Sequence, residues 1–246
     1  MSLKTIRYRV NFRSDYHIGS GLGIAGMADD LIVKDSNQGL PLPGTTLKGL
    51  IKDATEDVVD ALGIRHKMCD GTVANGGRLC GVNRDETCLM CLLFENRGSH
   101  KPFRFQSARR RDVLADLLDD ERMSPVVQGS TRYESHNRIE RRTGTAASGA
   151  LFSYELGGRN QPFNSSVTQR YCFSSGDQEK DALALLVAGM RFVSRLGGGR
   201  RRGKGRCRLQ IENPVRGLFG DYDWHALIDH LPDLAHDTEP GGNGHA

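Results

Sequence analysis

The chain has 246 residues, 37% hydrophobic and 26% charged, with a formal net charge of +4. It lacks both the apolar stretch of a secretory leader and any run of about 18 apolar residues, which argues against a secreted protein or a membrane-spanning helix. The expected compartment is the cytosol, where the six cysteines are reduced, metal-bound or buried and not paired as disulfides.

The mild net charge hides clustering. Seven basic residues and no acid lie between Arg195 and Arg208, and six with no acid between Arg97 and Arg111. Either run alone is equally well a solvated face. Two such runs, mixed with glycine or aromatics, point to a polyanion such as RNA.

In chain order, Thr5 to Arg13 alternates Ile6, Tyr8, Val10 and Phe12 with polar residues, which predicts a half-buried strand with a basic outer face. A glycine-rich loop over 17–27 follows, then a predicted short strand, Leu31 to Lys34. Pro41 and Pro43 delay a helix that Thr45 or Thr46 would cap, with Leu47, Leu50, Ile51, Ala54 and Val58 as its apolar stripe and Gly63 as its stop. Residues 64–105 read as an insertion rich in Gly, Asn and Cys. A short acidic helix is expected over 112–121, a polar irregular arm over 124–150, and a strand over 151–156. A helix over 177–196 runs into the glycine-rich turn "LGGGRRRGKG" and a strand over 206–211. An amphipathic segment over 222–234 and a disordered tail, 236–246, close the chain. This order suits an α+β, ferredoxin-like (RRM-like) domain spanning 1–235.

Four cysteines carry the strongest local chemical signal. Cys69, Cys80, Cys88 and Cys91 lie in a loop with little apolar content, and Cys88-x2-Cys91 is a good half of a zinc knuckle. His66 or His100 is a possible replacement for one sulfur. Four filled positions suit a structural Zn2+, since a catalytic zinc keeps one open. Cys172 and Cys207 read as core residues. Elsewhere, "FRFQSARRR" interleaves aromatics with cations as base stacking requires, though Phe103 and Phe105 would also form one buried face of a strand. Asp29 and Asp30 stand beside the glycine-rich loop. They are placed either to hold a divalent metal or act on a hydroxyl, or simply to cap a turn. Asp15, His17 and His136 are possible helpers.

Three stretches together resemble the RAMP superfamily, specifically the repeated backbone subunit of type III CRISPR effector complexes. They are "HIGSGLGIAGMADDLIVKDSNQGLPLPGTTLKGLIKDA", "SHNRIERRTGTAASGALFSYE" and "RLGGGRRRGKGRCRL", occurring in the family's order within residues 5–211. The resemblance implies an RRM-like core with a zinc-bearing insertion and a thumb-like hairpin, assembled in copies along a guide RNA beside other effector subunits. It implies cleavage of complementary target RNA at regular intervals, by attack of the RNA's own 2′-OH assisted by Mg2+ or another divalent ion. The family's acid falls on Asp29, with Asp30 taking its place if the loop slips by one residue. Thr46, Lys48 and Lys52 become guide-phosphate contacts at a helix N-terminus. Arg138, Ile139, Arg141, Arg142 and Thr143 lie on the thumb, and Gly198, Gly199, Arg200, Arg201 and Lys204 form the glycine-rich phosphate loop. A silent guide-and-target scaffold and a guide-precursor processing ribonuclease are the alternatives within this resemblance. A zinc-bearing RNA-binding protein outside it is the third. The segment after Ile211 has no counterpart in the family.

Overall fold

The alternation of the first strand organises the whole core. The computed structural model describes residues 4–36, 39–65, 68, 88–94, 103–110, 131–159, 162–170, 173, 175–212, 215–217 and 222–236. Strand β1 (Lys4–Phe12) buries Ile6, Tyr8, Val10 and Phe12, none more than 2% exposed, and turns Arg7 outward. Helix α1 (Gly44–Ala61) follows, then the short helix α2 (Leu89–Phe94) and two short strands, β2 (Phe103–Phe105) and β3 (Arg109–Arg110). Strands β4 (Thr131–Ile139) and β5 (Ala146–Gly157) form a two-stranded sheet of their own, an antiparallel hairpin. The chain then returns to the main sheet as β6 (Pro162–Gln169). It continues through helix α3 (Gly176–Phe192), strands β7 (Cys207–Ile211) and β8 (Arg216–Gly217), and helices α4 (Trp224–Asp229) and α5 (Leu231–His236).

The main sheet has the order β2-β6-β1-β7, with every neighbouring pair antiparallel. Without the hairpin, the main elements run strand, helix, strand, strand, helix, strand. Helices α1 and α3 pack on each other and share one apolar core with β1, β6 and β7. Gly189 of α3 is what permits their close approach. A Cβ there would overlap Thr55, whose hydroxyl donates to the Ile51 carbonyl at 2.7 Å. Phe12, Tyr16 and Phe163 form an aromatic set beneath the hairpin's foot, with Tyr16 stacked 4.0 Å from Phe12 and edge-on to Phe163.

Several expectations need correction. No strand forms at Leu31–Lys34. Ile32 makes one bridge to Gly19 and Asp30 one to Tyr154, so the segment is pinned from two sides instead of laddered. Neither Thr45 nor Thr46 caps α1: its N-cap is Pro43, without a side-chain cap bond, and Gly44 N–H donates to the Ser107 hydroxyl at 3.1 Å. Residues 89–94 and 103–105 of the supposed insertion are regular structure, the latter paired with β6. The arm and the strand expected at 151–156 are one hairpin reaching Gly157. Central strand β6 was missed because Asn164, Ser165 and Ser166 dilute the alternation of Phe163, Val167 and Gln169, all three buried. Helix α3 stops at Phe192, since Val193 is extended (ψ 120°). The C-terminal amphipathic segment is two helices because Pro232 has no N–H to continue the first, and α5 reaches His236. The acidic helix over 112–121, arm residues 124–130 and Cys172 lie outside the described residues, as does 237–246. Cys207 is buried in β7 as expected, and burial pushes its thiol pKa up to about 12.

Candidate functional site

The hairpin's base is tied to three parts of the chain. At its foot, Tyr16 and Gly157 exchange backbone bonds of 3.0 and 2.8 Å, and the Tyr16 ring occupies the space a Gly157 Cβ would need. One turn higher, the Asp29 and Asp30 amides both donate to the Ser153 carbonyl, and Glu155 N–H donates to the Asp30 carbonyl at 3.0 Å. On the opposite strand, Glu134 accepts Lys204 Nζ at 2.6 Å and Arg132 at 3.1 Å, while Arg132 also reaches Asp15 at 2.6 Å. The Lys204 hydrogen bond, with the nearby positive charges, holds the Glu134 pKa below the ordinary glutamate value.

Glu155 is the buried anchor. Its carboxylate takes Lys34 Nζ at 2.6 Å and Ile32 N–H at 3.3 Å, and its side chain is fully buried. Burial pushes its pKa upward, but the bonds from Lys34, Thr131 and Ile32 outweigh that and the pKa is lowered. The Glu155 carbonyl accepts His17 Nδ1 at 2.7 Å. A carbonyl only accepts, so Nδ1 carries the proton and Nε2 is the nitrogen turned toward Asp30, 3.0 Å from Oδ2.

The two adjacent acids therefore have different surroundings. The Asp29 carboxylate accepts Ser153 N–H at 2.7 Å and approaches the Ser153 hydroxyl at 3.4 Å. Its observed contacts fasten the loop to β5. The Asp30 carboxylate lines a cavity of about 440 Å3 together with His17, His136, Tyr154, Gly198, Gly199, Arg200, Arg201 and Lys204. Asp30 Oδ1 is buried without a hydrogen-bond partner among the described residues, while His17 Nε2 has only the other oxygen of that carboxylate beside it, at 3.0 Å. Buried polar atoms are normally paired, so the unpaired oxygen of Asp30 marks a place where something binds. Gly19 makes room for the pair: a Cβ there would stand 2.9 Å from Asp30 Oδ1 and 3.1 Å from His17 Nε2.

The glycine-rich turn forms the cavity's other wall. Gly197 and Gly199 have φ of +92° and +69°, and Gly198 N–H donates to the His17 carbonyl at 2.7 Å, so the turn is docked on the histidine's own backbone. Arg200–Arg202 form an exposed 3-10 turn. Arg202 lies over the Phe152 and Tyr154 rings at 5.1 and 5.8 Å, a cation–π stack that keeps a guanidinium beside the cavity. A second recess of about 380 Å3 adjoins it, lined by Arg13, Arg132, Arg159, Arg202 and Lys204 with Asp15 as the one acid.

The residues singled out in the sequence thus separate into groups. Asp30, Gly198, Gly199, Arg200, Arg201 and Lys204 meet in one cavity, and the possible helpers His17 and His136 join them. Tyr154 and Arg202 were missed. The "SYE" strand and the triple arginine were their only signals. Arg138, Ile139, Arg141, Arg142 and Thr143 are exposed on the hairpin's outer half. Thr46, Lys48 and Lys52 stand on α1 and line neither recess, and Lys52 lies 3.9 Å from Glu56. Cys88 is half-buried and Cys91 7% exposed at the start of α2. Cys69, Cys80, His66 and His100 lie outside the described residues. Among the described residues no three His, Cys, Asp or Glu side chains are grouped to hold a metal ion, and no helix is long and apolar enough to cross a membrane.

Comparison with known proteins bears on this arrangement. The family model described as the RAMP superfamily matches residues 9–208. A chain in a solved structure described as the type III-B Cmr-beta bound to cognate target RNA, determined by cryo-EM, aligns with a TM-score of 0.56. The two chains are 12% identical, with 84% of this chain and 96% of that one covered, a likeness of fold. No curated protein matches this chain.

Proposed function

Because the chain belongs to the RAMP superfamily, we propose that it is a repeated, guide-RNA-binding subunit of a type III CRISPR effector complex that cuts complementary target RNA. In this reading the strand-helix-strand-strand-helix-strand core is ferredoxin-like and RRM-like, and the β4–β5 hairpin is the thumb. The partners are a guide RNA, its target, further copies of the chain and other effector subunits, in the cytoplasm. The observation that carries the reading is the cavity at the hairpin's base, where the unpaired Asp30 Oδ1, with His17 against the other oxygen, faces a docked arginine turn.

The chemistry is transphosphorylation. The hairpin splays the target at its base, so that a 2′-OH lies in line with its own phosphate. Asp30, with His17 behind it, accepts the 2′-OH proton, and Arg200, Arg201 and Lys204 hold the phosphate. Between the two acids, Asp30 has the buried, unpaired carboxylate oxygen and lines the cavity, while Asp29 fastens the loop through Oδ2. A divalent ion such as Mg2+ fits Asp30 Oδ1, since that ion takes one or two carboxylates and fills its shell from phosphate and water. It would neutralise charge developing on the phosphate. Thr46, Lys48 and Lys52 remain candidate guide contacts on α1, and the tip arginines grip backbone while Ile139 wedges a base step.

The test is to assemble the protein on a guide RNA and add complementary target with magnesium. Regularly spaced cuts that depend on the guide are expected. Target binding without cuts would leave the silent scaffold, and absence of guide-dependent binding would overturn the assignment. For the insertion we propose one structural Zn2+ on Cys69, Cys80, Cys88 and Cys91. The placement of Cys88 and Cys91 one helical turn apart at the start of α2 supports this. The purified protein should carry about one zinc per chain, and a Cys88→Ser/Cys91→Ser variant none. A metal-free wild type would refute it.

A further inference from the structure

His136 has no task in the chemistry above, yet its ring faces the same cavity as His17 from across Tyr154. The His17 and His136 ring centroids lie 5.5 and 5.8 Å from that of Tyr154. His136 also stacks on Phe152 at 5.7 Å, which fixes its plane. Its Nε2 is 3.1 Å from Glu134 Oε1, and the other Glu134 oxygen is taken by Lys204 and Arg132. Glu134 therefore orients the imidazole and leaves Nδ1 for another partner.

Resting on the nuclease reading, we propose that His136 is a second catalytic residue, the general acid that protonates the leaving oxygen. The 2′-oxygen attacks phosphorus and its proton passes to Asp30. The P–O5′ bond breaks with its electron pair staying on O5′, which takes the proton from His136. The products are a 2′,3′-cyclic phosphate and a 5′-hydroxyl, with no outside oxidant, reductant or water consumed. The other lining groups suit this task less well. Arginine does not give up its proton. Lys204 bridges Glu134 and the phosphate site, and ordinary lysine and tyrosine hold their protons to about pH 10. A general acid works best with a pKa near the working pH, which is histidine's range.

The experiment compares wild type and His136→Gln on two guide-matched targets. One is ordinary RNA and the other carries a 5′-bridging sulfur at the cut, whose thiolate leaves without a proton. His136→Gln should cut ordinary RNA about 10²–10⁴-fold more slowly, bind guide and target as wild type does, and cut the sulfur substrate at close to the wild-type rate. Equal slowing on both substrates, or no slowing on ordinary RNA, would overturn the assignment. If that variant loses guide binding, His136→Asn is read in the same way. Wild type that binds both targets and cuts neither would bring down the nuclease reading itself, and His136's role with it.

Discussion

The two halves of the β4–β5 hairpin share a ladder but differ in everything around it. At the base, Glu155 is fully buried, Glu134 accepts two cations, and the backbone of Ser153 is bonded to both Asp29 and Asp30. Toward the tip, Arg138, Arg141 and Arg142 are exposed, as are Ile139 (57%) and Leu151 (68%). One half is held so that a few atoms keep fixed distances. The other presents charge and apolar surface to something outside the chain. Stability and chemistry should therefore follow the base, and RNA affinity the tip.

The largest expected effect is at Glu155. Glu155→Ala strands Lys34 and removes the acceptor of Ile32, which should cost about 3–5 kcal/mol, whereas Ile139→Ala should change stability by less than about 0.5 kcal/mol. Urea denaturation of the two variants checks this, and similar midpoints would erase the contrast. Acid should act in the same place but less strongly. Glu155 and Glu134 have lowered pKa values in the fold, so their stabilisation is present above the ordinary glutamate pKa of about 4.3 and is lost as pH falls below it. The urea midpoint should drop between pH 5 and pH 3, and by less in Glu155→Gln, with Glu134 carrying part of the remaining slope. An identical drop in that variant would remove Glu155 from the account. Smallest in stability but clear in binding is the tip. Arg141→Gln or Arg142→Gln should leave the urea midpoint in place and lower the slope of log affinity against log salt by about 0.7 for each lost contact to single-stranded RNA. An unchanged slope would remove these arginines from the RNA path.

Much of the core was legible because its signals are local. The alternation Ile6, Tyr8, Val10, Phe12 and the stripe Leu47, Leu50, Ile51, Ala54 each follow from one period and one buried face. Strand β6 is illegible because its central partner β1 is over 150 residues away and serines occupy its middle. The register of the acids was illegible for a related reason. Adjacent carboxylates look alike in sequence, and what separates Asp29 from Asp30 is Ser153, 124 residues away. His17 and His136 stand 119 positions apart in the sequence, and it is the hairpin's return to the glycine-rich loop that brings both to Tyr154.

The most direct test of the central claim, that Asp30 and not Asp29 carries the chemistry, is single-turnover cleavage of a guide-matched target by wild type, Asp29→Asn and Asp30→Asn. Target binding is measured in the same preparations. Asp30→Asn should bind target normally but cut at least about 100-fold more slowly, on the scale of losing a general base. Asp29→Asn should keep most of its rate and lose stability instead. Cleavage abolished in Asp29→Asn and retained in Asp30→Asn would contradict it.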